Sequence, residues 1–159
     1  MLLTFTVGAC ASRTARPEPF PRPHAPVTER PAPEPAPAIG EQVVQAALAL
    51  RGRPYAPGGS GPERFDCSGL VQYVYSQAGV ALPRTVTAQF ETTSPIERDA
   101  VRAGDLLFFR MVGGKPSHVA IAIGDGSFVH APSSRGTVRV EQLSAPYWRQ
   151  RFEGARRVE

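Results

Sequence analysis

The sequence predicts an α+β fold in which helices come first and a small, curled antiparallel sheet follows. Apolar residues recur at helical spacing as far as Glu91, the period changes to alternation after Gly104, and glycine turns separate the alternating runs. A chain of 159 residues holds one domain of ordinary size and a tail.

Val43, Val44, Ala47, Leu48 and Leu50 place a first helix over 41–51, closed by Gly52. The glycines and prolines from Gly52 to Gly61 then force a loop whose one large side chain is Tyr55, either a hydrophobic peg or a hydroxyl facing a cleft, or both. Asp66 reads as the N-cap of a second helix carrying Leu70, Val71, Val74 and Ala78 on one stripe until Gly79 stops it. Thr85 can cap a short third helix over 88–91. Strands are expected at 105–109, 117–124, 126–131, 137–140 and 155–158, giving a sheet of five to six strands.

Prolines crowd the stretch from Pro17 to Pro37, which is therefore extended rather than helical. Ahead of it, Val7-Gly8-Ala9-Cys10 resembles the end of a bacterial lipoprotein signal, with Cys10 as the lipidated residue. No basic segment precedes it, so either the start of the chain lies upstream or the match is coincidental. The expected organisation is a signal over 1–10, a Pro-rich disordered linker over 11–37 and a folded domain over 38–159. In polyproline geometry, at roughly 3.1 Å per residue, the linker would reach at most about 80 Å, a periplasmic distance. The net charge of +4 is mild and its arginines are dispersed, which suits a polyanionic surface such as a cell wall. The absence of a basic run or an aromatic ladder argues against nucleic acid.

With Cys10 consumed by lipid, Cys67 is a lone thiol that can form no disulfide within the chain. Its place at a helix N-terminus, beside unpaired N–H groups and the positive end of the helix dipole, favours the thiolate and suggests a nucleophile. The neighbouring Asp66 opposes this charge, and it is useful only as a cap, a ligand for a substrate amine, or both.

His118 and His130 lie on consecutive predicted strands joined through Gly124-Asp125-Gly126. A three-residue loop, or a bulge of the same effect, would pair Ala120 with His130 and bring the two imidazoles onto one face within hydrogen-bond reach. A regular two-residue Asp125-Gly126 turn would put them on opposite faces. Ala120 and Ala122 share the His118 face, and their small side chains would leave room for the helix that carries Cys67. Together these residues make a nucleophile, a base and an orienting group: His118 takes the thiol proton and His130 fixes its tautomer. A zinc site is the rival use of Cys and two His, but there is no Cys-x-x-Cys pair and no fourth ligand at a recognisable spacing.

From about Ile39 to Val158 the chain resembles the NlpC family of bacterial cell-wall cysteine peptidases, particularly its lipoprotein endopeptidases. The resemblance is carried by Pro54-Tyr55 with Gly58-Gly59, Asp66-Cys67-Ser68-Gly69-Leu70-Val71, Leu82-Pro83-Arg84, Gly104 to Phe109, Ser117 to Ile121, and Gly124 through Pro132. It implies a papain-like fold and cleavage of peptidoglycan stem peptides between D-glutamate and the third-position diamino acid, meso-diaminopimelate. It also implies Cys67, His118 and His130 as the triad, and Tyr55, Asp66, Ser68 and Ser117 as substrate-binding or oxyanion residues. No metal or cofactor is required. The expected setting is a monomer in the periplasm, anchored to the outer membrane through Cys10. A non-catalytic muropeptide-binding module, or an amidase or acyltransferase using the same triad, is the alternative. Two departures from the family pattern, Ala103 for a usual proline and Ala56-Pro57 after the tyrosine, bear on a turn and on one wall of the cleft.

Overall fold

The computed structural model describes residues 38–111, 113–132 and 136–159; the segment 1–10 with Cys10 and the linker 11–37 lie outside the described residues. Three helices lead: α1 (Ile39–Ala49), α2 (Cys67–Gln77) and α3 (Val86–Glu91). After them come β1 (Ser94–Ile96), a 3₁₀ turn (Arg98–Ala100), β2 (Leu106–Phe109), β3 (His118–Gly124), β4 (Ser127–His130), β5 (Arg139–Gln142), α4 (Pro146–Arg149) and β6 (Phe152–Arg157). The six strands form one open antiparallel sheet in the order β1-β6-β2-β3-β4-β5.

Two short elements escape the sequence pattern. Strand β1 is three residues with Pro95 at its centre, tolerable because it is an edge strand and proline has no N–H to give to a ladder. Helix α4 is one turn begun by Pro146, too short to show a period.

The sheet is buried on both faces, and alternation divides the strand residues between them. Leu106, Phe108, Val119, Ile121 and Val129 pack with Val43, Val44 and Ala47 of α1 and Leu70, Val71 and Val74 of α2. Leu107, Phe109, Ala120, Ala122 and Phe128 pack on the other face with Leu143, Trp148 and Ala155. Here the structure corrects one expectation. The helix that carries Cys67 lies on the Val119 face, and the room left by Ala120 and Ala122 is filled by aromatic rings and Trp148 instead. Branched β3 side chains supply the larger apolar area to an amphipathic helix, so the helix packs there.

Polar contacts register the helices. Asp66 caps α2 by accepting the Gly69 N–H at 2.7 Å, and Thr85 caps α3 through the Ala88 N–H at 3.3 Å. Gln89, with no exposed surface, joins the two helix starts by donating to the carbonyls of Ser68 at 3.0 Å and Pro83 at 2.8 Å. The Tyr75 hydroxyl donates to the carbonyl of Gly104 and ties α2 to the turn before β2.

The β3–β4 hairpin has a two-residue turn, Asp125-Gly126, both residues with positive φ (50° and 78°) as primed hairpin turns require. Its register is Ile121↔Val129 and Ala122↔Phe128, then Gly124↔Ser127, so a bulge falls at Ile123. The bulge does the work of the three-residue loop. Continued by one residue, the register sets Ala120 against His130.

Gly69 allows the 58–59 loop to lie on the start of α2. A β-carbon there would overlap the Gly59 carbonyl and stand 3.1 Å from Asp66 Oδ1. Gly69→Ala is expected to lower the unfolding free energy by about 1–3 kcal/mol in urea titration. Gly154→Ala, whose β-carbon would meet only open space, should leave the midpoint nearly unchanged.

Candidate active site

Cys67 is the first residue of α2, half-buried, and the only free cysteine among the described residues. The N–H groups of Val119 in β3 and of Ser68 point to its thiol, so the nucleophile candidate meets the sheet beside His118. Asp66 is fully engaged: it accepts the Gly69 and Gly58 N–H groups and forms a two-pronged ion pair with Arg84, at 2.9 Å to Oδ1 and 2.5 Å to Oδ2. Burial would raise its pKa, but the Arg84 hydrogen bond and the Gly69 N–H outweigh that and hold the carboxyl below its usual range. Arg84 also reaches the Ser68 hydroxyl at 3.0 Å and the Gly59 carbonyl at 3.3 Å, so one guanidinium binds the loop, the cap and the residue after the cysteine.

Across from this network, His118 Nε2 and His130 Nδ1 lie 2.8 Å apart, with both rings buried. Behind His130, a carboxylate oxygen of Glu141 stands 3.6 Å from Nε2, and that buried nitrogen has no nearer partner. Glu141 is itself held by the Trp148 indole N–H and by Arg139 Nε at 2.6 Å. Burial works against its charge, yet the Trp148 and Arg139 hydrogen bonds keep its pKa below the ordinary value.

An ionised carboxylate facing His130 Nε2 favours the proton on that nitrogen, which leaves Nδ1 bare to accept from His118 Nε2–H. His118 Nδ1 is then unprotonated, the state a general base needs. Trp148 stacks on His118 (5.7 Å, 25°) and meets His130 edge-on (4.9 Å, 87°), fixing both rings.

Burial pushes the Cys67 thiol up, and Asp66 adds to this against the opposing N–H groups. Burial, with the neighbouring His130, pushes His118 down to about 3, and burial pushes His130 down to about 4. Burial thus opposes the thiolate that the helix start favours, because the few N–H groups there do not replace the water lost by the sulfur.

The comparisons fall on this site. The NlpC/P60 family model matches residues 52–157, which include every residue named above. The chain belongs to the NlpC/P60 family. It is 39% identical over 122 residues to the gamma-DL-glutamyl hydrolase of Bacillus subtilis, covering 74% of this chain and 30% of that protein. It is 41% identical over 112 residues to the murein DD-endopeptidase MepH of Escherichia coli, covering 67% and 41%. The crystal structure of an NlpC/P60 family protein from Bacillus cereus superposes with a TM-score of 0.72 at 31% identity, over 77% of this chain and 41% of that one. The chain thus spans less than half the length of each of these NlpC/P60 relatives.

Of the residues singled out from sequence, His118 and His130 are in direct contact, and Cys67 reaches β3 at the next residue, Val119. Tyr55 stands close enough to Cys67 and Asp66 for their charges, after burial, to raise its pKa. The Ser68 hydroxyl donates to Asp66 at 3.3 Å, while the exposed Ser117 lends its hydroxyl to the Met111 N–H at 3.0 Å and so closes the β2–β3 loop. Among the described residues no three of His, Cys, Asp and Glu are grouped as metal ligands would be. Sequence reasoning missed Arg84, Glu141 and Trp148 as site residues. Two signals were available: Arg84 stands in the Leu82-Pro83-Arg84 motif that carries the resemblance, and Trp148 is the sole tryptophan.

The two histidines also make stability depend on pH. Unfolded, each takes a proton near the ordinary 6.5, whereas folded they do so only near 3 and 4. Between these values the unfolded chain binds more protons, so stability falls as pH drops below about 6.5 and that contribution levels off only near the folded values. Asp66 and Glu141, held low, add their own loss below the ordinary carboxylate range. The melting temperature should therefore decline from pH 6.5 towards 4, with a shallower slope in His130→Asn; a flat profile would show that the rings are not buried neutral.

Proposed function

We propose that this chain is a cysteine endopeptidase of peptidoglycan, cutting stem peptides between D-glutamate and the third-position diamino acid. The supporting observation is the buried His118–His130 hydrogen bond on the strand whose next N–H, that of Val119, faces the Cys67 thiol. His118 Nδ1 takes the thiol proton as sulfur attacks the amide carbonyl, so the two charges compensate each other in a site where burial opposes either one alone. The Cys67 backbone N–H at the start of α2 is available to the oxyanion. Imidazolium His118 then protonates the leaving amine, and water, activated by the same imidazole, hydrolyses the thioester. No step calls on a metal or cofactor.

Glu141 is the fourth member of this chain of groups, a positioning residue that acts through His130. Tyr55, Ser68 and the Asp66–Arg84 pair form the wall on the acyl side. Peptidoglycan is the substrate class because the names of the similar proteins specify murein or glutamyl bonds. The same proposal puts the chain in the cell envelope, acting as a monomer held at the outer membrane by lipid on Cys10. A D,D cross-link is the second reading, favoured by the 41% identity to MepH.

Purified sacculi incubated with the protein should release muropeptides whose masses end at D-glutamate, and Cys67→Ala should release none. Fragments cut at D-alanyl cross-links would support the second reading, cuts at the sugar-proximal amide would support an amidase, and retention on sacculi without release would support a binding module. Glu141→Gln should lower kcat between about 10-fold and the roughly 10⁴-fold seen when a triad loses its orienting carboxylate, with KM little changed. Equal kcat for the two proteins would remove Glu141 from the mechanism.

A further inference from the structure

A cavity of about 340 Å³ opens on the face of the sheet away from α2. His118 and Trp148 line it, together with Met111, Tyr147, Glu141 and Arg139. Under the mechanism above, His118 hands its proton to the leaving amine, so the residue bearing that amine must lie against His118. The Tyr55, Asp66 and Arg84 network stands on the Cys67 side and the cavity on the His118 side, as the two halves of a cleaved peptide would require.

The charge in this cavity is unevenly available. Glu141 is occupied by the Trp148 indole N–H, by Arg139 Nε and by the edge of His130. Arg139 uses only Nε for that contact; among the described residues no acceptor meets its Nη groups, and its side chain is 48% exposed. Glu141 therefore holds the guanidinium in one orientation and leaves its outer N–H pair free, an arrangement suited to a two-pronged bond with a carboxylate. Tyr147, half exposed, provides an aromatic wall for an aliphatic side chain.

We propose that this cavity is the leaving-side subsite and that Arg139 in it binds a free carboxylate on the residue whose amine is released. The inference rests on the proposed peptidase activity. Two parts of a stem peptide can supply the carboxylate: the far end of the diamino acid side chain, or the chain terminus of a tripeptide. The chemistry is the same and the geometry at the cavity differs only in reach.

Four tripeptides L-Ala-γ-D-Glu-X separate the possibilities: X as meso-diaminopimelate with both carboxylates free, with only the side-chain carboxylate amidated, with only the terminal carboxyl amidated, and with both amidated. The wild type should cleave the fully amidated peptide more slowly than the free one, and whichever single amidation reproduces that loss names the source. Arg139→Ala should reduce kcat/KM on substrates that keep this carboxylate about 10- to 100-fold more than on the fully amidated peptide, the value of one charged hydrogen bond, while the fall on the fully amidated peptide measures only the lost contact with Glu141. Arg139→Lys should recover part of the loss. An equal fall on all four substrates would mean that Arg139 acts only through Glu141 and His130, and equal wild-type rates on all four would mean that no carboxylate is read; either result overturns the subsite. Absence of cleavage of every peptide by the wild type would instead count against the peptidase reading itself.

Discussion

A β-strand turns its side chains to alternate faces, so two residues on paired strands share a face only in a suitable register. His118 and His130 are joined by a two-residue turn that, in a regular ladder, would send them to opposite sides of the sheet. The single extra residue at Ile123 shifts the register by one and brings the imidazoles to 2.8 Å. Everything proposed for the site depends on that bulge: the tautomer of His118, the role of Glu141 behind His130, and the presence of a base beside Cys67.

The pair is then isolated from water by rings. Trp148 stacks on one imidazole and meets the other edge-on, while Phe109 and Phe128 pack around them. This enclosure keeps both histidines neutral and also makes the orientation of each proton matter, since a misdirected N–H has no water to correct it. Trp148 further donates to Glu141, so the residue that dries the site also holds the carboxylate that sets its tautomers.

On the other side of the thiol, a second set of groups converges on Asp66. It caps α2, receives the Gly58 N–H and pairs with Arg84, which itself binds Ser68 and the Gly59 carbonyl. Asp66 is thus a structural hub first, and a substrate amine would have to share it with Arg84. The glycine at 69 belongs to the same arrangement, because any side chain there would push away the loop that leads from Tyr55.

Much of this was legible in the sequence, because it depended on local rules. Helix spacing and the Asp66 and Thr85 caps marked α2 and α3, alternation marked the long strands, and the parity of the His118–His130 separation demanded an odd loop or a bulge. The edge strand β1 and the single turn α4 were illegible for the opposite reason: three or four residues contain no period to read. Only the folded chain decided which face of β3 receives α2, since the alanine face offered room, the branched face offered apolar area, and alternation alone does not say which prevails. Only the folded chain brought Arg84 to Asp66 across 18 residues and Trp148 and Glu141 to the histidines. The charge state of Cys67 was likewise a tertiary matter: a helix N-terminus can be recognised from neighbours in sequence, but the water removed from a thiol depends on what packs over it.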